Sequence, residues 1–356
     1  MNLFPKYIKL FGAKVLVEEF IQKPNKPIHE KELAGFLKEW YAPEDFVEVK
    51  TSGSTGTPKT IRLKKEFVAT SAQRTIHFFQ LKKDDRVLHC LPLKYIAGKL
   101  MVVRAMLGEL DLRLIEPSSD FSYLQTEKFR FAAMVPNQVA KILKAEAILG
   151  KWLGNIEKLL IGGSAITYSL EKQLQNLKTD CYSSYGMTET ATHIALRKMN
   201  GHGAVGWYRC LENISVSLSD NGCLQIYIPG LESQPLQTTD LAELKDDKTF
   251  RILGRSDNVI ISGGIKFSPE QIEKKLESFI STPFLISSLR HEPLGEQLVL
   301  VVEGKKSDLE IKRLMKICRS ELNKYEQPRQ IRFLRQLPRT ANGKFNRKGV
   351  AEVVLL

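Results

Sequence analysis

The chain predicts an α/β fold: a large N-terminal domain of mostly parallel sheets flanked by helices, followed by a small α+β C-terminal domain. Two observations carry this. Short apolar runs alternate with longer segments of helical period, and the last hundred residues read as a separate module. Buried strands are expected at residues 87–91, 112–115, 132–135 and 159–161, each an apolar run that stops at a turn signal. Between them, residues 138–148 place Val139, Ile142, Leu143 and Ala147 at helical spacing. Parallel sheets gather ligands at the carboxyl ends of their strands. Gly162-Gly163-Ser164 directly follows one such strand. In the terminal module, Ser268-Pro269-Glu270-Gln271 reads as a capping box with proline at the first helical position. Ile272, Leu276 and Phe279-Ile280 then mark one face of that helix. Apolar strands at 298–302 and 330–334 flank a further helix near 308–323. The polar turn Gly254-Arg255-Ser256-Asp257-Asn258 breaks the pattern, so the division falls there.

Composition bounds the function. With 43% apolar and 26% charged residues, 356 residues suffice for two or three domains with real cores. A net charge of +13 points to anionic partners, and residues 301–356 carry 14 Lys/Arg against 6 Asp/Glu. A solvated basic face is the plain alternative. Five cysteines, odd in number and without a C-x-x-C pair, argue against a zinc site or a disulfide framework. Lys6, Lys9 and Lys14 lie near the N-terminus without an apolar leader, and no run approaches the ~20 apolar residues of a membrane span. A cytoplasmic protein with no membrane span is expected. A basic nucleic-acid-binding protein is the non-enzyme alternative. No nucleic acid is expected as partner, because the chain lacks aromatic–basic interleaving and any zinc or helix-turn-helix signature.

Residues 51–60 read Thr51-Ser52-Gly53-Ser54-Thr55-Gly56-Thr57-Pro58-Lys59-Thr60. Glycines let a backbone turn tightly and approach a ligand, while hydroxyls and amides donate to phosphate oxygens. Lys59 adds a mobile positive charge. A Walker A loop is excluded because Pro58 stands where its second glycine must be, and proline has no N–H to donate. An ordinary polar loop is the plain alternative. Downstream, Tyr185-Gly186-Met187-Thr188-Glu189-Thr190 offers a ring that can stack on a base and oxygens that can hold Mg²⁺. It also reads as a helix start with an acidic first turn.

The decapeptide resembles the phosphate loop of the adenylate-forming superfamily, which comprises acyl-CoA synthetases, luciferases and adenylation domains. Its other motifs follow in the family's order across residues 51–344. The resemblance implies that Tyr185 packs on adenine beside Gly186, that Thr188 touches the phosphates, and that Glu189 binds Mg²⁺. Gly162 and Gly163 match paired glycines along the adenine face. Asp240, in a T-T-D that departs from the family's T-G-D, would hold the ribose hydroxyls; a lone aspartate at a strand edge is otherwise a turn residue. Arg255 would reach the ribose-phosphate and Asp257 would be the hinge. Residues 1–254 thus form the ATP- and acid-binding domain, 255–258 the hinge, and 259–356 a small mobile domain. Gly263, Gly264 and Lys266 match the loop that serves thioester formation, and would otherwise be a turn before a helix. Pro338-Arg339-Thr340-Ala341-Asn342-Gly343-Lys344 matches the terminal loop whose lysine is catalytic; alone, Lys344 would read as a surface charge. ATP, Mg²⁺ and coenzyme A (as substrate) are the implied small molecules, with a carboxylic acid as the partner to be activated.

The acid is read from residues 91–99. There Lys94 and Tyr95 stand where the family often has an aromatic residue and a histidine. With Arg104 and the sequence after Glu189, this resembles compact bacterial o-succinylbenzoate–CoA ligases of menaquinone biosynthesis. An acid with two carboxylates needs a cation for the one that does not react, since a buried unpaired carboxylate is costly. Lys94, Tyr95, Lys99, Arg104 and His193 are the candidates, and a solvated helix face is the alternative for the two lysines. A stand-alone adenylation enzyme that loads another aryl or alkyl acid onto a carrier protein or coenzyme A stays open.

Overall fold

A computed structural model describes residues 2–50, 59–118, 120–124, 126–149, 152–339 and 345–355. Two compact units divide the chain. The first holds residues 1–166, 170–215 and 228–233, the second 167–169, 216–227 and 234–356.

The first unit opens with a hairpin of β1 (Tyr7–Leu10) and β2 (Ala13–Leu16), then α1 (Val17–Gln22) and α2 (Ile28–Tyr41). This opening carries no sequence motif. Side chains anchor it: Trp40 Nε1 donates to the Leu3 carbonyl at 2.9 Å, and the Tyr41 hydroxyl donates to that of Pro5. A two-stranded ladder then joins β3 (Phe46–Lys50) to β4 (Thr60–Lys64), with Lys50 opposite Thr60. The glycine- and hydroxyl-rich stretch is therefore the connection between these strands. Next come α3 (Lys65–Phe79), β5 (Arg86–His89), α4 (Ile96–Leu107), β6 (Asp111–Leu114), β7 (Phe129–Met134), α5 (Pro136–Leu149), β8 (Ile156–Ile161) and α6 (Tyr168–Leu174). The unit continues through β9 (Asp180–Gly186), β10 (His193–Lys198) and β11 (Tyr208–Cys210). Its main sheet runs β11-β10-β9-β8-β7-β5-β6-β1-β2. Every pairing from β9 to β1 is parallel, and antiparallel pairs close both ends. The inner strands read as apolar runs because a parallel sheet is covered on both faces. Leu88, Ala132, Met134, Leu159 and Ile161 pack with Val139 and Ile142 of α5 and with Leu170 and Leu174 of α6.

In the second unit, β12 (Ser215–Leu218), β13 (Cys223–Tyr227), β14 (Leu236–Asp246) and β15 (Thr249–Arg255) lie side by side in that order. The remainder is an α+β module: β16 (Ile260–Ser262), β17 (Ile265–Phe267), α7 (Pro269–Leu276), β18 (Phe284–His291), β19 (Gly295–Glu303), α8 (Asp308–Glu321), β20 (Gln330–Leu334) and α9 (Arg347–Leu355). Its sheet runs β17-β16-β19-β18, with β20 parallel to β19. One face carries Ile272, Leu276, Leu314 and Cys318 from α7 and α8, the other Val350 from α9. The capping box expected at Ser268 does not form, although Pro269 does open α7. The Ser268 hydroxyl donates instead to the Leu253 carbonyl at 3.1 Å, tying the helix start to the end of β15. Among the described residues no helix is long and apolar enough to cross a membrane.

Candidate active site

The carboxyl ends of β8 and β9 bring two of the motifs together. Gly162 leaves β8 and donates its N–H to the Met134 carbonyl at 3.1 Å. A Cβ at this position would lie 2.1 Å from Ser184 Oγ of β9, so a larger residue must displace that hydroxyl from its bond to the Ile161 carbonyl. Gly163 follows with φ of +87°, a conformation that glycine adopts without strain. Gly186 is as constrained: its Cβ would stand 2.5 Å from the Cα of His193, where β10 turns back along β9. Tyr185 lies 5.9 Å from the ring of Tyr208, whose hydroxyl is 2.8 Å from Ser183 Oγ. Thr188 and Glu189 sit in a 3₁₀ turn, with the carboxylate of Glu189 in solvent. The buried Thr190 holds this turn, its hydroxyl accepting from Met187 N at 3.0 Å and donating to the Thr192 carbonyl at 2.6 Å. Gly162→Ala should destabilise the chain by about 1–3 kcal/mol through overpacking, and Gly162→Ala with Ser184→Ala should recover most of that in a thermal melt. A single variant as stable as the wild type would show that the Ser184 hydroxyl turns aside without cost.

A second cluster lies in the same unit. Helix α4 is apolar on nearly every side and buried from Gly98 to Met106, as a helix in a core must be. It carries Arg104 inside, 1% exposed. One guanidinium nitrogen reaches the Met101 sulfur at 3.4 Å, and Nε and Nη2 have no partner among the described residues. Burial pulls the group down to about 9, so it is still a cation at neutral pH. His193, 5% exposed, lies between two hydroxyls, with Nε2 3.3 Å from Thr75 Oγ1 and Nδ1 3.3 Å from Thr192 Oγ1. Burial first, and then the charge of Arg104, push its pKa well below the usual imidazole value, and it is neutral.

The lysines differ. Lys99 is buried and committed: its ammonium donates to Glu39 Oε2 at 2.5 Å and to the Glu48 carbonyl at 2.9 Å. These partners come from α2 and β3, and they occupy the charge that sequence reasoning had offered to the acid. Lys94 is exposed and lies 5.1 Å over the ring of half-buried Tyr95. Thr75, fully buried on α3, is a residue that sequence reasoning missed. Its one signal is a hydroxyl on the apolar face that Ala72 and Phe79 define.

In the second unit, Asp240 and Arg255 are cross-strand partners in the β14–β15 ladder. The Arg255 guanidinium spans three groups: Asp240 Oδ1 at 3.3 Å, Thr239 Oγ1 at 2.5 Å and Asp257 Oδ2 at 2.7 Å. Thr239, which replaces the family's glycine, is thus a ligand of Arg255. Gly263 and Gly264, with φ of +58° and +80°, form the two-residue turn between β16 and β17. A type I′ hairpin requires positive φ at both positions, which is why two glycines stand there. Lys266 is exposed on β17, and Lys59 is exposed just before β4. Thr51, Ser52, Gly53, Ser54, Thr55, Gly56 and Lys344 lie outside the described residues.

Family models match this arrangement: AMP-binding enzyme over residues 19–225, and AMP-binding enzyme C-terminal domain over residues 288–344. The acyl-CoA synthetase (AMP-forming)/AMP-acid ligase II-like protein of Dyadobacter fermentans is 33% identical. Its crystal structure superposes with a TM-score of 0.64, covering 95% of this chain and 97% of that one. The 2-succinylbenzoate–CoA ligase of Bacillus cereus (strain ZK / E33L) is 25% identical over 380 aligned positions, 97% of this chain and 77% of that protein. The o-succinylbenzoate coenzyme A synthetase of Bacillus subtilis, solved with ATP and magnesium ion, shares the fold. Its TM-score is 0.71 at 22% identity, over 85% of this chain and 68% of that one. Fold and motifs define an adenylate-forming enzyme. The chain belongs to the AMP-binding enzyme family.

Proposed function

We propose that the enzyme joins 2-succinylbenzoate to coenzyme A through an acyl-adenylate. One carboxylate of the acid attacks the α-phosphate of ATP and pyrophosphate leaves. The coenzyme A thiol then attacks the acyl carbon, its proton passes to solvent, and AMP departs. The observation that carries the choice of acid is the buried Arg104, whose Nε and Nη2 have no partner among the described residues. A guanidinium presents its N–H groups as a planar fork that suits a carboxylate. It receives the carboxylate that does not react, and an acid with only one carboxylate leaves this cation buried and unpaired. The names of the relatives at about 25% identity support the same acid.

The nucleotide roles follow from the matching motifs. Tyr185 and the Gly162-Gly163 turn face adenine, Asp240 and Arg255 take the ribose, and residues 51–56 with Lys59 cradle the phosphates. Glu189 and Thr188 would hold Mg²⁺. No group of three His, Cys, Asp or Glu stands together among the described residues. One exposed carboxylate nonetheless fits an ion that takes one or two protein oxygens and completes its shell with phosphates and water. When bound, the ion supplies positive charge to the phosphate oxygens.

An AMP-release assay with coenzyme A across a panel of aryl and alkyl acids tests the reading. 2-Succinylbenzoate should exceed 4-oxo-4-phenylbutanoate, which lacks the second carboxylate, by at least about 30-fold in kcat/KM. Equal turnover of the two acids would overturn the assignment. For the hinge role of Asp257, Asp257→Pro should form acyl-adenylate yet stall before thioester, because proline locks φ near −65°. Timing the half-reactions separately checks this, and equal slowing of both would place the hinge elsewhere.

A further inference from the structure

The β16–β17 hairpin of the α+β module has a buried base and an exposed tip. Ile260 and Phe267, opposite one another at the base, lie in the apolar core with Ile272, Leu276 and Leu298. Toward the tip, Ile261 and Ile265 are 49% and 43% exposed, and Gly263, Gly264 and Lys266 are exposed as well. Apolar burial therefore fixes where the hairpin starts, but not the direction in which its Gly263-Gly264 turn points. Polar contacts supply that. Ser262 stands opposite Gly295 of β19, and the Gly263 N–H donates to the Leu294 carbonyl at 2.9 Å, so the turn rests on the tip of the β18–β19 hairpin. At Ile261 the partner is a side chain: its N–H donates to Glu296 Oε2 at 3.1 Å. The other oxygen of that carboxylate accepts from the Ser288 hydroxyl of β18 at 2.6 Å. Glu296 thus spans β19, tied to β18 on one side and to the hairpin on the other.

We infer that Glu296 is a positioning residue for thioester formation: its carboxylate sets the direction of the β16–β17 hairpin, and so the place of the Gly263-Gly264 turn when coenzyme A reacts. This rests on the role in thioester formation that the resemblance gives to that turn. A hydrogen bond to a carboxylate is roughly twice as strong as one between neutral groups, and here one glutamate ties two strands. A thiol must meet the acyl carbon within a narrow range of distance and direction, so a displacement of about 1 Å in a supporting element can slow the step about 10²-fold. The inference places no demand on the hairpin during adenylation.

Arg290 of β18 stands opposite Glu296 in the ladder, so a purely electrostatic role for the glutamate is the alternative. Glutamine separates the two. Its amide oxygen can accept from the Ile261 N–H while its amide N–H donates to the Ser288 oxygen, since a hydroxyl rotates to donate or accept. The neutral isostere keeps both ties and drops only the charge. Alanine drops both ties. It leaves Ile260 and Phe267 in the core and the Gly263 bond to Leu294 in place, so the module should stay folded.

The test compares the wild-type full chain with Glu296→Ala, Glu296→Gln and Gly264→Val. ATP–pyrophosphate exchange reads adenylation. The second half-reaction is read by mixing coenzyme A with the pre-made acyl-adenylate of whichever acid gives the fastest AMP release. Glu296→Ala should slow thioester formation about 10–10²-fold and leave exchange near the wild-type rate. Glu296→Gln should restore most of the thioester rate. Gly264→Val puts a β-branched side chain at φ of +80° and should slow the same step at least as much. If Glu296→Ala does not fold, Glu296→Asp, one methylene too short to hold both partners, is measured in its place. Equal slowing of both half-reactions, or an unchanged thioester rate, overturns the inference. A glutamine variant as slow as the alanine one assigns the effect to charge and overturns it too. If Gly264→Val slows the thioester step and Glu296→Ala does not, the turn keeps its role and Glu296 loses its own. If neither variant slows it, the role of the turn fails as well.

Discussion

Lys344→Ala is expected to slow acyl-adenylate formation by about 10²–10³-fold while leaving the protein folded. The charge that builds on the α-phosphate and the entering carboxylate oxygen must be met by a donor already in place, and losing one such donor typically costs that much. Supplied with pre-made acyl-adenylate and coenzyme A, the same variant should form thioester at nearly the wild-type rate, because that step expels AMP and needs no cation at an entering carboxylate. The strands and helix on either side of the loop are well held. Arg339 pairs with Phe345 as an isolated bridge, and the Asn346 N–H donates to the Pro338 carbonyl at 2.8 Å. Arg347 donates to Glu273 Oε2 at 2.5 Å and to the Ile286 carbonyl at 3.1 Å, fixing the start of α9 on the module. A substitution at Lys344 leaves the residues that make these bonds unchanged, and a melting temperature near that of the wild type is the expected result. Intact adenylation, or equal slowing of both half-reactions, would make Lys344 a surface charge or a folding determinant.

What could be read from residues alone follows from how each signal arises. Strands β5, β7 and β8 are buried on both faces, so their apolar runs are local and visible. Strand β14 is a half-exposed ribbon of sequence Leu-Gln-Thr-Thr-Asp-Leu-Ala-Glu-Leu-Lys-Asp, with only Thr238 and Ala242 buried; Leu241-Ala242-Glu243-Leu244 reads as strand-like in the sequence, while the polar half before it does not. The β1–β2 hairpin turns at Phe11-Gly12, with φ of +51° and +81°. Phenylalanine is not a residue that marks such a turn. The same contrast divides the site. The Gly263-Gly264 turn needs glycine for reasons contained in two residues. The fate of Lys99 depends on Glu39 and Glu48, which lie 60 and 51 residues away and which no local pattern ties to it. Arg104 is the intermediate case. An arginine within Leu-Met-Val-Val-Arg-Ala-Met-Leu is conspicuous in the sequence, yet its lack of a carboxylate partner among the described residues is a property of the packed core.

That last property gives Arg104 a signature that separates function from stability. Arg104→Met fills similar volume without charge, and replacing buried ionic groups by packed apolar ones is often neutral or stabilising by about 1–4 kcal/mol. The variant should therefore melt at or above the wild-type temperature. Its kcat/KM for 2-succinylbenzoate should nevertheless fall by about 10²–10³-fold, the effect of leaving a buried carboxylate without its cation. Turnover of 4-oxo-4-phenylbutanoate should hold or improve, since that acid no longer strands a charge. Arg104→Lys retains the charge but not the planar fork, and should fall between the two. Thermal melts paired with AMP release from both acids separate the possibilities. A lower melting temperature with equal losses on the two acids would mean that the guanidinium supports the fold of α4. A stable Arg104→Met enzyme that still prefers the dicarboxylate would place the second carboxylate on another cation, and exposed Lys94 is the one to vary next.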